Sequence, residues 1–279
     1  MSSPSAIIIS KILSTFRQQS RPLKPLYSTL GKPSETKNEN ESKYHITRAT
    51  KEDYDGIIKL MHESYYEEEP TCSCLGVTPN PVLDERRLRA MAEGYSLVAK
   101  CAHDGSIAGG AINESTHPWD PDLGEKLACS VKCPKVKQLI LFYAYVMRAP
   151  DLWECLGVGK IFEMANVFVK RAHRRNGLAH RLMKRSKALG ADCGFGVLRC
   201  DATSEHTAGI CENLGMQLVA EIPYCTYLGP DLLPVFKPPF PHQSVKVYCD
   251  CSPQLNELRS KLDQKIRQFR NGIGGSANK

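Results

Sequence analysis

Residues 162–189 constrain the fold of this chain more than any other stretch. Phe162–Lys170 is apolar and β-branched, the composition of a strand, and Gly177–Leu189 carries the spacing of an amphipathic helix. Between them stands the basic run Arg171-Ala172-His173-Arg174-Arg175-Asn176. A strand that feeds directly into a helix is the unit from which mixed α and β sheets are built. The join leaves the first backbone N–H groups of the helix without intrahelical partners, beside the positive end of its dipole. Gly177 and Ala179 keep the approach to those amides open, and Arg174, Arg175 and Arg181 add charge, so the ligand suited to this join is a diphosphate. An ordinary strand-to-helix turn with solvated arginines would read the same way. One glycine in a basic loop does not choose between them.

The rest of the chain predicts elements on both sides of this unit. Tyr44–Arg48 reads as a strand, and Tyr54, Ile57, Ile58, Met61 and Tyr65 fall on one face of a helix opened by Lys51-Glu52-Asp53. A helix over Leu83–Glu93 precedes two strands, Tyr95–Ala102 and Ser106–Glu114, turned at His103-Asp104-Gly105. The stretch 115–160 is mixed, with helix over Lys135–Arg148. Strand, helix, strand and strand follow over Phe195–Cys200, Glu205–Leu214, Gln217–Tyr227 and Val245–Cys249. The expectation is one α/β (α+β) domain over 44–252. Leu255, Leu258, Leu262, Ile266 and Phe269 then form the apolar stripe of an amphipathic helix within 253–279. That stripe suits packing onto the same domain, a self-association contact, or a membrane surface, and 271–279 reads as a frayed tail.

Charge and cysteine usage narrow the function classes. The net charge of +7 belongs to the ends: residues 45–252 carry 24 basic and 25 acidic side chains, so no basic body is available for nucleic acid. No run approaches the roughly 18 apolar residues of a membrane-spanning helix. The 12 cysteines are scattered, several inside apolar strands, which predicts reduced thiols. Zinc would rest on Cys72-Ser73-Cys74 and Cys249-Asp250-Cys251, which lack CxxC partners, so no metal is expected. The first 34 residues hold no acid and are basic and Ser-rich, the composition of a mitochondrial transit peptide or of a disordered leader with no address. Residues 1–43, with a polar linker at 31–43, therefore stand apart from the domain, and the expected compartment is the mitochondrial matrix or the cytoplasm.

Arg174-x-x-Gly177-x-Ala179, between strand and helix, resembles the Q/R-x-x-G-x-G/A acyl-CoA signature of the GNAT superfamily of N-acetyltransferases. More narrowly, the chain resembles the insect-type arylalkylamine N-acetyltransferases. Glu68-Glu69-Pro70 is similar to that family's D/E-E-P segment, and Glu212-Asn213-Leu214-Gly215-Met216 to its E-x-L-G-F/M helix end. Val235–His242 is similar to its V-F-K-P…P-H run. The likeness covers roughly 44–250 and is loosest over 115–160.

The resemblance implies a GNAT-type domain with a mostly antiparallel central sheet flanked by helices. It implies acetyl-CoA as co-substrate, its pyrophosphate held by Arg174, Arg175, Asn176, Gly177, Leu178 and Ala179. Its pantetheine arm would lie along the strand containing Asn166, Val167, Phe168 and Val169. Glu69 aligns with the proposed general base, which the chemistry needs because an alkyl ammonium must lose a proton before it attacks a thioester. The family's two serine hydroxyls align here with Thr203 or Ser204 and with Thr207, and these residues read equally well as a helix cap. Tyr143, Tyr145, Trp153, Tyr224 and Tyr227 are candidate walls for the amine, or plain core. The implied reaction is direct acetylation of a small arylalkylamine in a ternary complex. A polyamine or protein lysine acceptor, and an inactive acyl-CoA-binding domain, stay open at this point.

Overall fold

In a computed structural model, residues 43–251 and 256–276 are described. The leader, with its transit-peptide and linker readings, lies outside them, as do Leu255 of the expected C-terminal stripe and the end of the tail at 277–279.

Seven strands form one sheet in the order β1-β2-β3-β4-β5-β7-β6. They are β1 (Tyr44–Arg48), β2 (Leu97–Cys101), β3 (Ile107–Thr116), β4 (Ile161–Val169), β5 (Val197–Ala202), β6 (Gln217–Pro223) and β7 (Ser244–Cys251). Every neighbouring pair is antiparallel except β4–β5. Nine helices flank the sheet among the described residues, numbered here α1 (Lys51–Leu60), α2 (Pro70–Leu75), α3 (Pro81–Ala92), α4 (Asp120–Ser130), α5 (Pro134–Arg148), α6 (Leu152–Leu156), α7 (Leu178–Asp192), α8 (Glu205–Asn213) and α9 (Asn256–Ser276). The expected mixed, mostly antiparallel sheet is the one observed.

Period-two alternation along β4 and β5 divides the core into two layers. Phe162, Met164, Leu198 and Cys200 pack with Met183 of α7 and with Ala208 and Cys211 of α8. Ile161 and Val197 face the other way, into a larger cluster with Val136, Ile140 and Phe142 of α5 and Leu156 of α6. Ile57, Leu60 and Met61 cover Val98, Ile112 and Phe168 near the other sheet edge. The C-terminal stripe closes the larger cluster through buried Leu262 and Ile266. The helix runs to Ser276, past the expected start of fraying at Asn271.

Three departures from the sequence reading matter for the site. The first helix, expected to carry its apolar face through Met61 and Tyr65, changes to a π-helical segment over Met61–Tyr65 and closes with a last turn at Tyr66–Glu68. The backbone then turns extended at Glu69 (φ −70°, ψ 123°), and α2 starts with Pro70 in its first turn, where a missing N–H costs nothing. The mixed stretch 115–160 holds two helices besides the expected one, α4 and α6. Finally, the strand expected over Gln217–Tyr227 stops at Pro223 and gives way to a 3₁₀ turn at Tyr224–Thr226.

Candidate active site

The parallel pairing of β4 with β5 is short. Only Phe162 opposite Leu198 and Glu163 opposite Arg199 are in register, although both strands continue. Beyond Glu163 the strands part, while β4 stays paired to β3 as far as Val169, through a bulge at Ala165. A bulge bends the bulged strand and re-aims the residues after it. The Lys170 N–H donates to the Ala108 carbonyl on the β3 side (2.9 Å). Alternation then turns the backbone groups of Val169 and Val167 to the opposite edge, the one facing the gap. The Val169 carbonyl is indeed taken there by Arg174 Nε (3.0 Å). Of the four residues expected along this strand, Phe168 is the exception: its side chain is core beneath α1 and its backbone groups face β3, so it offers nothing to a ligand in the gap.

The gap leads to the start of α7. Arg175 (φ +62°) and Gly177 (φ +69°) are both left-handed, which curls the chain so that successive amides turn to one side. No side chain caps α7 at Gly177. A Cβ added at Gly177 would meet nothing within 4 Å, so the space before the helix is open. The Asn176 side chain turns back to the carbonyls of His173 (3.2 Å) and Arg174 (3.1 Å) and stiffens the loop. Leu178 is buried in the core, which anchors the first turn. Arg174 is also bound to the Glu68 carboxylate, and Arg171 donates to the same group (2.6 Å).

Glu69 is placed on the other side of the gap. The acidic run Glu67-Glu68-Glu69 is split: Glu67 and Glu68 face the arginine loop, and Glu69 turns inward with 8% exposure. Its Oε2 accepts from Thr71 Oγ1 (2.6 Å) and from the Cys72 N–H (2.7 Å), so Glu69 caps α2. Its Oε1 is buried with no partner among the described residues. An orphaned buried carboxylate oxygen is costly and needs a reason. Around it stand Tyr65, Tyr143 and Tyr224. Burial pushes each phenol upward and the Glu69 charge adds to it, so all three remain neutral hydroxyls. Tyr65 accepts from Asn166 Nδ2 on β4 (2.7 Å), and the Tyr224 hydroxyl donates to the Thr203 carbonyl (2.8 Å). These two bonds join the surroundings of Glu69 to both strands of the gap.

The hydroxyl segment after β5 is a cap as well as a candidate site. Ser204 Oγ accepts the Thr207 N–H (3.2 Å) at the start of α8 and lies 3.1 Å from Thr207 Oγ1. His242 accepts the Glu205 N–H through Nδ1 (3.2 Å), and burial and the adjacent His206 depress its pKa. Among the five candidate aromatic walls, Tyr143 and Tyr224 reach Glu69. Tyr145 is exposed at 44% and packs on Tyr227, and Trp153 lies in the core with its Nε1 toward the Thr116 carbonyl (3.4 Å). Those three do not line the space around Glu69. Sequence reasoning assigned no site role to Tyr65, Thr71 or His242. The first looked like helix core, Thr71 carried no signal, and His242 lay inside the family-like V-F-K-P…P-H run. Among the described residues no group of three His, Cys, Asp or Glu side chains could hold a metal ion, and no helix is long and apolar enough to cross a membrane.

No protein-family model matches the chain. Solved structures do. Arylalkylamine N-acetyltransferase 2 from Aedes aegypti superposes with a TM-score of 0.70 at 26% identity, over 75% of this chain and 98% of that one. A mosquito arylalkylamine N-acetyltransferase-like 5b gives 0.71 at 21% identity, over 75% and 100%. A Drosophila melanogaster polyamine N-acetyltransferase gives 0.68 at 22% identity, over 75% and 100%. The sheet with its parted β4 and β5, together with these likenesses, makes the chain an acyltransferase of the GNAT type. Within that class it resembles the insect arylalkylamine N-acetyltransferases.

Proposed function

We propose that the protein transfers the acetyl group of acetyl-CoA to the primary amine of a small arylalkylamine, by direct attack in a ternary complex. The observation that carries this reading is the unpartnered Oε1 of Glu69, buried beside a gap in the sheet that leads to the uncapped amides of α7. The residues at that helix start fit an acyl-CoA. The open space at Gly177 admits a diphosphate to the amides, and the gap-facing edge of β4 at Val167 and Val169 offers backbone partners to an extended arm.

Acetyl-CoA supplies the acetyl group as a thioester, whose carbonyl carbon the amine attacks as the C–S bond breaks. Arg174, Arg175, Asn176, Gly177, Leu178 and Ala179 hold the phosphates, and Arg174 does so in competition with Glu68. The Val167 N–H, free of β3, faces the gap and stabilises charge on the carbonyl oxygen. Glu69 Oε1 takes the proton from the substrate ammonium, which would otherwise stay charged near neutral pH. The hydroxyls of Ser204 and Thr207, within hydrogen-bonding distance of each other, pass a proton to the departing thiolate, with Thr203 beside them. Tyr65, Tyr143 and Tyr224 form the aromatic wall that selects a ring-bearing amine.

One observation favours a second reading, a diamine or polyamine acceptor. Glu114 and Glu163 stand directly opposite each other on β3 and β4, and Glu163 Oε2 is buried without a partner among the described residues. A second cationic group on the substrate would satisfy them. The test is release of free CoA thiol with a panel of aromatic amines, aliphatic diamines and lysine peptides. The first reading expects the highest kcat/KM with an arylalkylamine. A preference for diamines would replace it with the second, and no turnover with any amine would leave an acyl-CoA-binding domain.

A further inference from the structure

Glu69 has two oxygens in unlike surroundings, and the hydrogen-bond directions around it are determined. Thr71 Oγ1 lies 2.6 Å from Glu69 Oε2 and 2.9 Å from the Tyr143 hydroxyl. A threonine hydroxyl has one proton. An ionised carboxylate only accepts, so that proton goes to Glu69, and the bond between Thr71 and Tyr143 must be made by the tyrosine proton. The order is therefore Tyr143 O–H to Thr71, Thr71 O–H to Glu69 Oε2, with the Cys72 N–H on the same oxygen. Tyr143 belongs to α5 and Thr71 to α2, so the chain of bonds ties the carboxylate to a second helix.

We infer that Thr71, aligned by Tyr143, is a positioning residue for the acetyl transfer: it fixes one rotamer of Glu69 and makes Oε1 the oxygen that takes the proton. The inference rests on Glu69 being the general base. Without the Thr71 bond only the Cys72 N–H would hold Oε2, and the carboxylate would turn more freely about its terminal torsion, which is broad and roughly two-fold, so the oxygen facing the amine would be less firmly defined. Thr71 is fully buried (0% exposed), so its hydroxyl is held within the packed interior.

The experiment compares Thr71→Val, Thr71→Ser, Tyr143→Phe and Glu69→Gln in the full chain, by pH profiles of kcat/KM for the amine and by acetyl-CoA affinity. Thr71→Val keeps the shape and removes the donor. It is expected to lower kcat about 10- to 100-fold, to leave acetyl-CoA affinity unchanged, and to move the acid limb of the profile to higher pH, since the ionised carboxylate has lost a donor. Thr71→Ser is expected to restore both. Tyr143→Phe should give a smaller loss in the same direction. If Thr71→Val matches the wild type in kcat and in its acid limb while Glu69→Gln is inactive, the positioning role is wrong and the base assignment stands. If Glu69→Gln turns over normally, the base assignment itself has failed. Should Thr71→Val not fold, absence of the acid-limb shift in Tyr143→Phe overturns the inference, because that variant leaves the Thr71 site filled.

Discussion

Glu68 holds Arg174 in an ion pair across 106 residues of chain, fastening the turn before Glu69 to the loop before α7. The pair places Arg174 and the buried Glu69 on either side of one gap. In the proposed reading, an incoming diphosphate must share Arg174 with a carboxylate.

Glu68→Gln is therefore expected to tighten acetyl-CoA binding by a few-fold, measured by calorimetric titration. Burial pulls the Glu68 carboxyl upward, but hydrogen bonds from Arg174 and Arg171 outweigh it and hold the group below its ordinary value. A depressed carboxylate adds stability above its unfolded value that is lost as pH falls through the folded one. The wild type should lose more stability than Glu68→Gln between about pH 5 and pH 3. The half-exposed pair limits the difference to about 1 kcal/mol, read by urea unfolding.

Gly177→Asp is expected to weaken acetyl-CoA binding about tenfold or more, because a carboxylate at the open mouth of α7 opposes the phosphates. Gly177→Ala should cost about 1 kcal/mol in stability, since φ is +69° there, with a smaller effect on binding. Thermal melts beside the titration separate the two effects.

Ser204→Ala removes the oxygen that caps α8. The expected cost is about 1 kcal/mol, or roughly 2–4 °C in Tm for a domain of this size. Ser204→Gly retains most of the stability while removing the hydroxyl. A fall in kcat that persists in Ser204→Gly would then report proton transfer rather than capping.

Glu163 faces Glu114 across the β3–β4 ladder, and burial, then the Asp201 charge, push its carboxyl up to about 8. Arg199 opposes this, but its own donors go to Asp201 and to the carbonyls of Val146 and Met147. A raised carboxyl binds its proton more tightly in the folded state, so stability should fall as pH rises from about 4.5 toward 8. Glu163→Gln should flatten that slope and raise Tm by several degrees at pH 8.5, followed by scanning calorimetry at a series of pH values.

The strand–loop–helix unit at 162–189 was legible because its signals are local: a β-branched run, a basic loop, a glycine and a helical stripe. The inward turn of Glu69 was not legible, because it depends on Arg171 and Arg174 drawing Glu68 away and on Thr71 and Cys72 receiving the next carboxylate. The π-helical segment that sets Tyr65 over Asn166 has the same residue pattern as an ordinary helix. In 115–160, Pro118, Pro121 and Gly124 interrupt the periodicity, so α4 was hidden, and Trp153 looked like a wall when its partner is the end of β3.

The most direct test of the account is amine-dependent release of CoA thiol by the wild type and by Glu69→Gln, both saturated with acetyl-CoA at neutral pH. The account predicts steady release in the wild type and a kcat lowered about 10²- to 10⁴-fold in the variant, with acetyl-CoA affinity unchanged. Equal rates in the two proteins would contradict it.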